Sequence, residues 1–64
     1  MAWQVEQNIK NAVNDMRLAA TQIDEMIIDT QDSGWSTNLV TPLREVARNL
    51  RKQAIYLERT LNYV

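Results

Sequence analysis

With 64 residues, 45% hydrophobic and 23% charged, a formal charge of −1 and one Gly and one Pro, the chain is bounded to a single small domain, residues 1–64. The absence of Cys and His excludes a thiol nucleophile, an imidazole base, a disulfide and a Cys/His zinc site, so ordinary enzymology and a bound cofactor are not expected. A chain near 60 residues buries only about 60% of its unfolded surface and is marginal without disulfides, metal or association, so self-association is the expectation.

The segment from Met1 to Glu6 lacks the basic and apolar regions of a signal sequence, and the longest run of large aliphatics is Met26-Ile27-Ile28. The reading is a cytoplasmic chain with no membrane role. From Val5 the apolar residues recur at alternating steps of four and three, through Ile9, Ala12, Met16, Ala19, Ile23 and Met26. That heptad seam predicts a first helix over about residues 2–30. Val13, Ala20 and Ile27 sit beside the seam and widen the stripe beyond what one partner helix covers, which makes them candidates for an interface between copies.

The segment from Thr30 to Asn38 concentrates Gly, Ser, Asp and Asn, residues that tolerate turn dihedrals or bond their own backbone, and predicts a loop over about 31–38. Ser33, Ser36, Thr37 and Thr41 have no activating base and read as turn and cap residues. A second helix follows over about 39–63. Either Ser36 or Thr37 caps it early, or Thr41 caps it with Pro42 in the first turn; the later start is favoured, because Pro at the first helical position forfeits no intrahelical bond. Its seam runs Val40, Leu43, Ala47, Leu50, Ala54, Leu57, Leu61 and Val64, with Leu39 and Val46 alongside.

The fold class is therefore all-α, a two-helix antiparallel hairpin that pairs into a dimeric four-helix bundle or a higher oligomer. An antiparallel register in which facing residue numbers total 69 or 70 sets Ile23 against Ala47, Met16 against Ala54, Leu50 against Ala19 and Leu57 against Ala12, so that large faces small in each layer. Charge favours the same pairing. Residues 1–32 carry two cations against six carboxylates, net −4, and residues 33–64 carry five against two, net +3. In length, single Gly-containing turn and alternating small and large layers, the chain resembles in plan the RNA-one-modulator type of dimeric hairpin. The resemblance is one of plan alone and implies no functional residue.

Three constellations carry functional readings. The acidic cluster Asp24, Glu25, Asp29 and Asp32 is a weak cation site or a basic partner's footprint on one reading; the simpler one sets Asp24, Glu25 and Asp29 against Arg44 and Arg48 at the start of helix 2. The outer face of helix 2 interleaves Arg48, Lys52, Ile55, Tyr56, Arg59 and Tyr63, a pattern suited to a nucleotide or RNA, though it equally describes a solvated face with Tyr rings along Arg stems. Trp3 and Trp35 lie at opposite ends of the hairpin. They are read as caps on the ends of an antiparallel dimer, with Trp35 as the alternative anchor for a foreign protein. The row Asn8, Asn11 and Asn14 reads as a solvated face.

The expected function is thus a non-enzymatic adaptor, regulator or inhibitor that associates with itself and with another protein. By association with other chains of this size, the setting is a phage or mobile-element accessory protein. The alternative is an anion binder using Arg48, Lys52, Tyr56 and Arg59. The oligomer interface is expected at Trp3, Val13, Ala20, Ile27, Leu39 and Val46.

Overall fold

The computed structural model describes residues 2–34 and 37–63, and among these there is no strand. Helix α1 spans Ala2–Asp32, helix α2 spans Thr37–Arg59, and the chain continues into a 3-10 turn, Thr60–Tyr63. At 1.5 Å per residue the 31 residues of α1 extend about 46 Å. The whole molecule measures 50 × 14 × 10 Å. Its radius of gyration, 15.0 Å, exceeds the roughly 11 Å of a compact chain of this length. The hairpin is therefore one layer thick, and its core is the seam between its two helices.

That seam is built from Val13, Ala20 and Ile27 of α1 and Val40, Ala47 and Ala54 of α2. All six are buried, with Ala20 and Ala54 at 0% exposure. Ile9, Met16 and Ile23 on one side and Leu43, Leu50, Leu57 and Leu61 on the other are only half-buried. Among the described residues no large side chain is completely buried. On α2 the seam from Val40 to Leu61 is the expected one, and Val64 lies outside the described residues. On α1 the seam centre lies one position further along than expected. Val13, Ala20 and Ile27 form the intramolecular core, so they are not available to an interface between copies; Val5 and Met26, expected in the seam, are about half exposed.

Arg17 donates to Glu58 at 3.0 Å and Arg51 pairs with Asp24 across the seam. Side chains on a helix lean toward its N-terminus, so in an antiparallel pair these long side chains reach past the residues level with them to meet. The choice of seam centre has its physical reason in the width of the α1 stripe, which offers two adjacent seams of similar hydrophobicity. Only the seam through Val13, Ala20 and Ile27 places Arg17 and Asp24 on the flank that meets Glu58 and Arg51.

Thr30, half-buried in the same stripe, satisfies its hydroxyl by donating to the Met26 carbonyl at 2.7 Å, so a polar residue is accommodated there. Past the end of α1 at Asp32, Gly34 has a φ of +72°, the left-handed cap conformation that side chains disfavour. The Gly34 N–H donates to the Gln31 carbonyl at 3.2 Å, closing the last turn. Helix α2 starts at Thr37, the earlier of the two candidate starts, and Pro42 consequently falls in its second turn rather than its first. A Pro inside a helix costs up to about 3 kcal/mol through its lost N–H and ring clash. The earlier start brings Val40, only 5% exposed, onto the buried stripe with Leu43 and Ala47, an offsetting gain of about 1.5–3 kcal/mol.

A Cβ added at Gly34 meets no atom within 4 Å, so the cost of a substitution there is conformational alone. Gly34→Ala is expected to destabilise the hairpin by about 1 kcal/mol, a melting-temperature loss of roughly 4–8 °C, with Gly34→Asn intermediate because Asn tolerates this conformation. Thermal unfolding followed by circular dichroism checks the order Gly, Asn, Ala.

Candidate functional site

The two long edges of the seam differ in chemistry. On one edge Arg17 and Asp24 of α1 meet Glu58 and Arg51 of α2, and the two ion pairs close that side. Their side chains remain about half exposed, so each pair contributes a few tenths of a kcal/mol to about 1 kcal/mol and sets register more than stability. The opposite edge bears Val5, Ala12, Ala19 and Met26 from α1 and Leu39 and Val46 from α2, spaced at sevens and adjacent to the core on the side away from the ion pairs. Val5, Met26, Leu39 and Val46 are each about half exposed, and Ala12 and Ala19 are half-buried. This strip runs along one face of the hairpin, apolar from both helices near the connection, while farther along α2 the same spacing reaches Gln53 and Thr60.

Of the residues expected at an interface between copies, Leu39 and Val46 lie on the strip. Val13, Ala20 and Ile27 do not, being spent in the core. Trp3 is 70% exposed and lies on the edge that carries the ion pairs, away from the strip. Trp35 lies outside the described residues, and so does any role of it as a cap or anchor. The remaining strip residues, Val5, Ala12, Ala19 and Met26, are those the sequence assigned to the intramolecular seam. The signal that separates the two seams is the opposite charge at 17 and 58 and at 24 and 51.

The second candidate surface is the outer face of α2. Arg48, Lys52, Tyr56, Arg59 and Tyr63 are all exposed. The Arg59 guanidinium carbon stands 5.7 Å from the Tyr56 ring centroid, within cation–π range. Arg44, Arg48, Lys52 and Arg59 belong to no ion pair among the described residues. Toward the start of the helix Thr41, Arg44, Glu45 and Arg48 line a shallow concavity of about 360 Å³. All four project from one helix, so nothing encloses a ligand there, and an apolar wall of the kind small-molecule sites use is missing.

Asp24 pairs with Arg51 rather than with Arg44 or Arg48, and Glu25 and Asp29 form no ion pair among the described residues. This corrects the expected pairing; Glu25 and Asp29 are fully on the exposed side of α1. No grouping of the described acidic residues could hold a metal ion. On the remaining polar face of α1, Gln7 donates to Asn11 at 3.1 Å, Lys10 pairs with Glu6 at 3.1 Å, and Asn8 and Asn14 are exposed. Among the described residues no polar or charged side chain is buried, and no helix is long and apolar enough to cross a membrane.

Exchanging the Arg17–Glu58 charges tests their contact. Arg17→Glu or Glu58→Arg alone is expected to lower stability by about 0.5–1 kcal/mol, and the double exchange to recover most of it. A double-mutant cycle with zero coupling contradicts the Arg17–Glu58 contact. No family model, curated protein or solved structure matches the chain, so the functional reading rests on its own residues.

Proposed function

We propose that the chain is a non-enzymatic helical hairpin that associates with itself, as a dimeric four-helix bundle or a higher oligomer, and acts by binding another protein as a small adaptor, regulator or inhibitor. The observation that carries this reading is the asymmetry of the seam: one edge is closed by ion pairs, while the other leaves Val5, Met26, Leu39 and Val46 half exposed along one face. An apolar strip of this length, rimmed by polar residues, is the usual mark of a protein–protein contact. The lack of Cys and His in the whole chain, and of any buried polar side chain among the described residues, supports a binding role over catalysis. A cytoplasmic setting and a phage or mobile-element origin belong to the same proposal.

Sedimentation equilibrium over a wide concentration range tests it. The expected mass is twice 7.5 kDa or a larger multiple, falling toward 7.5 kDa on dilution. A mass of 7.5 kDa at every concentration would sink self-association.

A second reading has its own observation. Arg48, Lys52 and Arg59 stand on one face without ion-pair partners, and Arg59 stacks over Tyr56, an arrangement suited to phosphate and a base. Titration with ATP and with a single-stranded RNA oligomer at low and high salt checks it. The expected result is salt-sensitive binding that Lys52→Glu or Arg59→Glu weakens by about tenfold or more. Binding that ignores salt, or none to either probe, removes this reading.

A further inference from the structure

We infer that the occupant of the open strip is a second copy of this chain, related by a two-fold axis parallel to the helices, so that each α1 lies beside the partner's α2 and both connections lie at the same end of the bundle. The inference deepens the proposed self-association and rests on it.

Area is the first argument. The hairpin exposes 5024 Å², where a compact monomer of 7.5 kDa exposes about 4250 Å². The excess is close to the roughly 800 Å² that each partner contributes to a standard specific interface. An identical strip on a second copy is self-complementary under a two-fold axis and covers both at once. Ala12 and Ala19 form a recess and Met26 and Val46 projections that a facing strip can interdigitate.

Charge fixes the orientation. Two face-to-face arrangements satisfy a two-fold axis. With the connections at opposite ends, each α1 lies against the other α1, and two segments of net −4 face each other. With the connections at the same end, acidic and basic helices alternate around the bundle, and every neighbour is antiparallel. The rims add one contact to this. With the connections at the same end, the exposed Asp15, 19 residues before Gly34, comes level with Lys52 of the other copy, 18 residues after it, while Glu25, Asp29 and Asp32 lie nearer the connection, at the end that carries Glu45. Orientation therefore rests on the net charge of the helices.

Val46 and Ile55 offer a matched pair of probes, since each is 48% exposed but only Val46 is on the strip. Val46→Glu places an unpaired charge in the interface twice, and is expected to weaken the dimer by about 100-fold while leaving helicity intact. Ile55→Glu should shift the dissociation constant by no more than about threefold. Met26→Glu repeats the strip test from α1, in case Val46→Glu unfolds the chain. A dimer that Val46→Glu and Met26→Glu leave unchanged, or that Ile55→Glu weakens equally, overturns the assignment of the surface while self-association stands. Orientation is read from a nitroxide pair on Ser33→Cys, the chain having no other Cys. Alternation predicts a separation within roughly 30 Å, the width of a bundle, and a separation near the 50 Å length of the hairpin overturns it. A wild-type protein that stays monomeric at every concentration overturns the underlying self-association as well.

Discussion

The structure depends on the close approach of two helices through Ala20, Ala47 and Ala54, which are among its most deeply buried side chains. Alanine at the centre of a seam lets backbones come near one another, but it contributes little apolar area of its own, since each methyl group is worth less than a Leu or Ile side chain by several CH₂ groups at about 0.8 kcal/mol each. The larger residues, Met16, Ile23, Leu43, Leu50 and Leu57, stand to either side of that line and are covered on one face only. A thin seam of small residues and a margin of half-covered large ones are therefore two aspects of one constraint. It makes the hairpin long and flat, 50 × 14 × 10 Å, and leaves an apolar margin outside the intramolecular contact.

The ion pairs determine which margin is left. Arg17 with Glu58 and Asp24 with Arg51 occupy one edge of the seam, where long side chains reach across and cover the apolar line beneath them with their stems. The other edge has no charged residue along Val5, Ala12, Ala19, Met26, Leu39 and Val46. Electrostatics of small magnitude thus has a structural effect larger than its energy, because it chooses between two seams that hydrophobicity nearly balances.

Much of this was legible in the sequence. The two helices, the connection near Gly34 and the α2 seam from Val40 to Leu61 follow from periodicity, because α2 bears a single clear stripe. The α1 stripe is three positions wide, and its apolar content supports a seam through Ala12, Ala19 and Met26 as well as one through Val13, Ala20 and Ile27. Periodicity alone does not separate them; cross-helix charge at 17, 24, 51 and 58 does. Pro42 points to a later start of α2 than the observed Thr37; its local cost is overridden by burial of Val40. The exposed residues of the basic and aromatic face of α2 are legible from spacing, whereas the Arg59 guanidinium over the Tyr56 ring is seen only in the fold.

The four-residue connection between Asp32 and Thr37 has a kinetic consequence. In an antiparallel hairpin the sequence separation of facing residues grows steadily with distance from the turn: Asp24 and Arg51 are 27 apart, and Arg17 and Glu58 are 41 apart. Loop closure costs least beside Gly34 and rises only logarithmically beyond it. Assembly of the two helices is thus ordered in space, closing first around Ile27 and Val40 and extending toward Val13 and Leu61. Opening runs in the reverse direction, so amide protons near the turn exchange last and those at the far end exchange first, a gradient of local stability built into a molecule with no other hierarchy.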